Sequence, residues 1–328
     1  MKRISLITAG AAALVLALAG CGASGDAEGA SHGEGGLRTV NVVGVPVVDM
    51  AALYVGEAQG FFEDEGLELN IEFGQGTAAM IPALLNGQYD VQYGGSINLL
   101  QAIDAGMPLQ AIAVGGRTTG VQGEDHGGLL VQDDSDIETP KDLEGKTVAV
   151  NALHGLHEVA LWQSVTKDGG DPSKVTFVEM ALPDMGAALE NGDVDAVSTA
   201  EPFLGLLLSE GTRQVTSPYV DVDEHFVTAL YFGSDDAIAK DPELYASFVS
   251  ALEKSFDYSA EHSDEVRAEL GNFTQIDADA ADSMILTDFT WGLDYDDLLI
   301  VSQAGADAGT VEDPDGTAAK AAAFVDPQ

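Results

Sequence analysis

Thr39–Val45 reads TVNVVGV, Leu67–Phe73 reads LELNIEF and Leu109–Val114 reads LQAIAV, and what lies between these runs decides the fold. The first run is β-branched and apolar, the mark of a buried parallel strand. Asp49 can cap the segment after it, where Leu53, Val55, Ala58, Phe61 and Phe62 share one helix face. Leu67–Phe73 alternates as a strand. Thr77 follows Gly74-Gln75-Gly76 and opens a helix that runs through Leu85. Asp90–Tyr93 is a short strand, and Gly94-Gly95-Ser96 leads into a helix reaching Ala105. Strand, Gly/Ser/Thr turn and helix thus repeat within about eighty residues, which predicts a doubly wound α/β lobe.

The same grammar continues outward. Gly128–Val131, Thr147–Asn151, Val175–Glu179 and Val194–Ser198 read as strands. Thr139-Pro140-Lys141-Asp142-Leu143 reads as a capped short helix with proline in its first turn. Leu156–Asp168, Asp184–Glu190 and a segment opened by Glu201-Pro202 read as helices, giving a second α/β lobe. Phe226–Phe232 is again a strand. Beyond it the chain turns helical, over Pro242–His262, Asp264–Leu270, Asp277–Leu286 and Tyr295–Ala308. From about Asp313 large apolar side chains are few, which predicts a frayed or loosely packed tail. A length of 328 residues agrees with two domains at ~150 residues each.

Composition narrows the function. The chain carries 13 Lys and Arg against 55 Asp and Glu, a net charge of -42, yet 45% of it is hydrophobic. That is too apolar for a disordered acidic chain, so the acids belong to the surface of a folded body. Such a surface repels phosphate backbones and anionic lipid, which excludes nucleic acid as a partner and docking by charge alone. Cys21 is the single cysteine, so disulfides, cysteine-based zinc sites and iron–sulfur clusters are excluded.

That cysteine has a telling position. Lys2 and Arg3 precede an apolar run, Ile4–Leu18, which ends in Leu18-Ala19-Gly20-Cys21, the layout of a secretory signal with small residues at the cut. Leu-Ala-Gly-Cys resembles the lipobox of bacterial lipoproteins, in which the cysteine thiol is acylated and becomes the mature N-terminus. Residues 1–20 are then a lipoprotein signal peptide. Residues 21–38, rich in Gly, Ser and Ala, are a flexible tether to the extracytoplasmic face of the cell membrane.

Five stretches carry a wider resemblance. Leu53–Phe62 (LYVGEAQGFF), Ala83–Val91 (ALLNGQYDV), Thr139–Lys146 (TPKDLEGK), Met185–Ala196 (MGAALENGDVDA) and Glu201-Pro202-Phe203 stand in the order found in the substrate-binding proteins of ABC importers. They resemble the nitrate/sulfonate/taurine family, which also includes binders of thiamine-pyrimidine precursors. The resemblance covers roughly residues 39 to 310. It implies an α/β, periplasmic-binding-protein-like fold of two doubly wound lobes joined by two hinge strands near Gly123–Gly127 and Tyr219–Phe226. Lobe 1 would comprise residues 39–123 and 226–328, and lobe 2 residues 124–225. It also implies a monomer that delivers a small-molecule solute to an ABC permease and its ATPase.

Ligands in open α/β sheets bind beyond the carboxyl ends of strands. The turns at those ends supply the candidate ligand-binding residues: Val48 and Asp49; Gln75, Gly76 and Thr77; Gly95 and Ser96; Leu153, His154, Gly155 and His157; Asp184; and Glu201. Helix N-termini there offer free N–H groups and partial positive charge. Thr77 and Ser96 can also cap their own helices. Asp49, Asp184, Glu158 and Glu201 either complement helix dipoles or face the ligand, in which case they favour an amine, amidine or N-heterocycle. Arg117, after Gly115-Gly116, either binds an anionic group or pairs with surrounding acids.

Among aromatic residues, Tyr54, Tyr93, Phe203 and Tyr231 are candidates for the cleft. Four histidines, His126, His154, His157 and His225, fall at predicted hinge or cleft positions and keep a metal-binding receptor open as an alternative. An enzyme on the same fold is another. The chain shows no Gly-x-Ser-x-Gly elbow and no phosphate-binding Gly-x-x-x-x-Gly-Lys loop. Related enzymes that make a thiamine pyrimidine from pyridoxal phosphate and a histidine carry a Cys-rich motif, which this chain lacks. The reading is therefore a non-enzymatic receptor without cofactor or resident metal. It binds a sulfonate, a taurine-like or N-heterocyclic compound, or nitrate.

Overall fold

The computed structural model describes residues 36–74, 76–274, 276 and 278–325. The expected signal peptide (1–20), Cys21, most of the tether and the candidate Gln75 lie outside the described residues.

The first lobe opens with β1 (Arg38–Gly44), a 3-10 turn at Val48–Met50, α1 (Ala51–Ala58) and α2 (Phe61–Asp64). It continues through β2 (Leu67–Phe73), α3 (Thr77–Leu85), β3 (Val91–Gly95), α4 (Ser96–Asp104) and β4 (Leu109–Arg117). The second lobe holds β5 (Gly127–Gln132), β6 (Thr147–Val150), α5 (Leu156–Lys167), β7 (Thr176–Glu179) and α6 (Met185–Glu190). β8 (Ala196–Ala200), α7 (Phe203–Ser209), β9 (Thr212–Thr216) and α8 (Pro218–Val222) complete it. The chain then returns through β10 (Val227–Ser234) and continues as α9 (Asp235–Lys240), α10 (Pro242–Glu261), α11 (Ser263–Phe273), α12 (Ala278–Ser283), α13 (Tyr295–Asp307) and α14 (Pro314–Ala321).

The strands form two five-stranded sheets, ordered β2-β1-β3-β10-β4 and β7-β6-β8-β5-β9. In the first, β1 runs parallel to β2 and β3, as the apolar pattern predicts. β10 lies antiparallel between β3 and β4, and β5 lies antiparallel to β8 and β9 in the second sheet. Both sheets are therefore mixed. The reason is geometric: the parallel strands end at the cleft, and a strand arriving from the other lobe enters at that same end and must run back against them. β9, with the polar sequence TRQVT, is an edge strand that no hydrophobic pattern announced.

Burial follows the two-residue period of a sheet covered on both faces. In the second lobe Leu129, Val131, Val148 and Val150 join one core layer, and their neighbours Leu130 and Ala149 join the layer on the opposite face with Met185 and Leu204. The first-lobe core gathers Val40, Val42, Leu99 and Leu230 under α10, whose Phe248 and Phe256 are fully buried.

The tail departs from expectation. α14 is not frayed: Ala318 and Ala321 are fully buried, and the helix packs on α4, α13 and β4. The Asp104 carboxylate accepts the Glu312 and Asp313 backbone N–H groups and the Thr317 hydroxyl. Small side chains here allow close approach, so the lack of large ones is how the helix packs.

Three chain segments run side by side where the lobes meet. The Thr118 N–H donates to the Phe226 carbonyl at 3.0 Å, joining the two crossings. The Asp288 N–H donates to the Arg117 carbonyl at 3.2 Å, which lays a third segment, from the C-terminal region, along the first crossing. Just before it, the Ile285 N–H donates to a Glu201 carboxylate oxygen at 3.1 Å, so this segment also reaches the second lobe.

Candidate functional site

A cavity of about 320 Å³ lies between the two sheets, walled from both lobes. That volume is at the small end of organic-ligand sites. From the first lobe come the end of β1 (Val45, Val48, Asp49), the start of α3 (Gly76, Thr77) and the end of β3 (Tyr93, Gly95). From the second come Asn151, Ala152, Leu156, His157 and Glu201, together with Glu179 and Leu182. His126 and Tyr219, from the two crossings, close the back.

Of the candidates read from sequence, Val48, Asp49, Gly76, Thr77, Gly95, His157 and Glu201 line this cavity. Ser96, Arg117, Leu153, His154, Gly155 and Asp184 do not. Each of the latter has other work or another position. Ser96 is fully buried and its hydroxyl donates to the Val227 carbonyl at 2.7 Å, tying α4 to β10. Neither Ser96 nor Thr77 caps its own helix; the Thr77 hydroxyl accepts the Gly95 N–H at 3.0 Å, which draws α3 onto the end of β3. Asp49 caps nothing either. Leu153 is exposed and its N–H donates to Glu179. His154 stands at φ +59° with its side chain 71% exposed, and Gly155 is the residue before α5. Asp184 precedes α6 without capping it.

Arg117 is the clearest correction. It is buried, but against Asp297, whose carboxylate accepts from both Nη1 and Nη2 at 2.8 Å. Nη1 also donates to the His225 carbonyl at 2.9 Å. Its guanidinium therefore staples the crossings together, because a two-oxygen acid partner satisfies the guanidinium fork more fully than a surface position would.

The polar heart of the site is His126. Its Nδ1 lies 3.2 Å from Asp125 Oδ1 and its Nε2 3.5 Å from Asp49 Oδ1. Neither ring nitrogen completes a well-aligned hydrogen bond, and Asp49 Oδ1 has no hydrogen-bond partner. Burial alone disfavours the imidazolium, but Asp49 and Asp125, with Glu201 beyond, outweigh it and hold the His126 pKa at about 9. Asp125 is fully buried; burial pushes its carboxyl up, yet His126 and the Thr119 N–H keep it below the usual carboxylate range. Asp49 fits above Gly116, where a Cβ would come within 2.9 Å of its carboxyl carbon. The Gly115-Gly116 pair that precedes Arg117 thus makes room for a cleft acid.

His157 behaves oppositely. Burial, with the neighbouring His126 charge added, depresses its pKa to about 4, so it is a neutral imidazole. Its Nδ1 stands 3.1 Å from Ser198 Oγ and its Nε2 3.3 Å from the Tyr219 hydroxyl. Glu201 is pushed up by burial, against the pull of the Ile285 and Gly205 N–H groups. Tyr93 and Tyr219 are raised well above 10, by burial first and then by Asp49, and stay neutral.

Of the four histidines considered as metal ligands, His126 and His157 reach the cavity, whereas His154 and His225 do not. Among the described residues no group of three or more histidine, cysteine or acidic side chains is arranged to hold a metal. Of the candidate aromatics only Tyr93 lines the cavity. Tyr54 instead stacks on Phe273 at 4.3 Å, and Tyr231 is buried beside Phe248. Sequence reasoning missed Tyr219, Asn98 and Glu179 as lining residues. Tyr219 carried a usable signal, since it begins the second predicted crossing.

Comparison with known proteins agrees with this architecture. A protein of Bacillus subtilis (strain 168) named as an aliphatic sulfonates-binding protein is 24% identical over 280 residues, covering 83% of this chain and 80% of that one. A Candida albicans (strain WO-1) protein named 4-amino-5-hydroxymethyl-2-methylpyrimidine phosphate synthase is 24% identical over 235 residues, 67% of this chain and 66% of its own. Among solved structures, the periplasmic aliphatic sulphonate binding protein SsuA from Escherichia coli superposes with a TM-score of 0.71 at 16% identity, covering 88% of this chain and 98% of that one. That likeness shows the two-lobed periplasmic-binding-protein fold. The family model described as NMT1/THI5 like matches residues 47–266, two thirds of the sequence and nearly all of the cavity wall, and the chain belongs to that family.

Proposed function

We propose that this protein is the extracytoplasmic solute-binding component of an ABC importer. It captures a small solute between its lobes and hands it to a permease driven by a cytoplasmic ATPase. The carrying observation is the cavity itself, which is walled by the strand ends of both lobes and backed by the segments that join them. A ligand there touches both lobes at once, so it favours the closed form by its differential affinity for that form. No covalent step is needed, and binding is the whole reaction of this chain. The working unit is a monomer. Lobe 1 comprises residues 39–123 and 226–328, and lobe 2 residues 124–225. Cys21 carries the lipid that holds the body at the outer face of the cell membrane.

A thermal-shift screen of sulfonates, taurine, nitrate, aminopyrimidines and small amines tests the receptor reading. A bound solute adds RT ln(1 + [L]/Kd), so saturation at 100 times Kd adds about 2.7 kcal/mol and a readily measured rise in Tm. Release of the Cys21→Ala variant from membranes tests the anchor. Chemical turnover of a captured compound would overturn the receptor reading in favour of an enzyme.

A further inference from the structure

The charge around the cavity is one-sided. Asp49, Glu179 and Glu201 line it, Asp125 stands directly behind His126, and among the described residues no lysine or arginine lines it. Arg117 is consumed by Asp297, and Arg267, which acts on Glu201 from outside the lining, donates to the Ala281 and Met284 carbonyls. Among the described residues that line the cavity, the positive group is the His126 imidazolium, shared between Asp49 and Asp125. Even with Glu201 protonated, the cluster keeps more negative charge than positive. The N-termini of α3 and α4 supply only about half an elementary charge each, less than one carboxylate. An oxyanion buried here would face several carboxylates with only the His126 imidazolium, already shared between two of them, to offset their charge, an arrangement that low-dielectric sites penalise heavily.

Two further features suit the opposite charge. Asp49 lines the cavity with its carboxylate held in place, Oδ1 lying 3.5 Å from His126 Nε2 and Oδ2 accepting the Tyr93 hydroxyl at 3.3 Å, so that its remaining lone pairs can accept from a solute. Tyr93 and Tyr219 put neutral aromatic rings in the same wall, and aromatic rings attract organic cations. Val45, Val48, Leu156 and Leu182 provide apolar surface for a short hydrocarbon body.

We infer that the solute is a small organic cation, an alkylammonium or amidinium with a compact apolar body, whose charged head is received by Asp49 between the Tyr93 and Tyr219 rings. This rests on the receptor reading above and narrows it: sulfonates and nitrate are rejected by the cleft acids.

Matched pairs of probes test it on the full chain in nonionic detergent, by isothermal titration calorimetry at pH 7. Benzamidinium is compared with its neutral isostere benzamide, and butylammonium with butanesulfonate. In each pair the cation is expected to bind at least tenfold more tightly. Asp49→Asn should bring the members of each pair to within about threefold. Glu179→Gln, at the exposed rim where folding is not at stake, should reduce the preference by a smaller factor. Because the preference is read on the unaltered chain, it does not depend on the Asp49 variant folding. Equal binding within both pairs, binding of the sulfonate over the ammonium, or failure of both cations to bind overturns the cation inference. A sulfonate that binds in the cavity does so while leaving the receptor reading intact; absence of binding by every solute in the wider screen removes both.

Discussion

The imidazole of His126 sets a pH dependence that can be isolated from the rest of this very acidic molecule. Its pKa rises from 6.5 to about 9 on folding, because Asp49 and Asp125 flank it and Glu201 lies beyond. A group whose pKa is raised in the folded state stabilises that state fully below its unfolded value and loses the contribution as pH climbs through the folded value. At 1.36 kcal/mol per pH unit, the contribution of His126 is about 3 kcal/mol, complete below pH 6.5 and gone above pH 9. His157 has the reverse sign: with its pKa lowered to about 4, it stabilises above pH 6.5 and its contribution is lost as pH falls through 4. The experiment is urea unfolding of the wild type and His126→Gln at fixed ionic strength between pH 6 and 10. In this window the buried tyrosines stay neutral, and groups that titrate alike in the two proteins cancel in the difference between them. The destabilisation by His126→Gln should be largest at pH 6 and smaller by about 3 kcal/mol at pH 10. A difference that stays constant within about 0.5 kcal/mol, the scatter of such comparisons, refutes the assignment of His126 as a buried imidazolium.

Other substitutions probe the segments that cross between the lobes. Asp297→Ala leaves the Arg117 guanidinium buried without its acid, and the cost should be about 3–5 kcal/mol, read as a fall in urea midpoint. Asp297→Asn, which keeps one acceptor oxygen, should cost less. Gly127→Ala drives a methyl group into the Tyr219 ring, which is only 2% exposed, so about 1–3 kcal/mol should be lost. If Gly127→Ala melts with the wild type, the packing of Tyr219 at the back of the cavity is looser than drawn.

How much of this was legible in the sequence depends on the kind of signal. Leu129-Leu130-Val131 and Thr147–Val150 declare strands buried on both faces, and both core layers of the second lobe are built from them. Asp49, Thr77, Gly95, His157 and Glu201 follow from the rule that ligands sit beyond strand ends. The direction of β10 does not follow, because a run of apolar residues has no polarity; only the path of the chain from the other lobe gives it one. Arg117 illustrates a second limit. A cation after an apolar strand and two glycines looks alike whether it faces a ligand or an acid, and its acid lies 180 residues away. The α14 helix illustrates a third: alanines count little in a hydrophobicity tally, yet they pack closely because they are small.

The meeting of three segments at Arg117 and Thr118, Phe226, and Thr287 and Asp288 has a mechanical consequence. Two lone strands behave as independent tethers and let the lobes swivel and slide as well as open. Segments bonded edge to edge form a ribbon, which flexes easily across its width and resists twist and shear, since those motions break its hydrogen bonds. Arg117 stiffens the ribbon by gripping the second crossing at His225 and the C-terminal region at Asp297. On the receptor reading proposed above, such a ribbon favours opening and closing over swivel and slide. Closure of that kind would return the same residues to the same opposing positions, and a solute would then be gauged by its thickness along one axis.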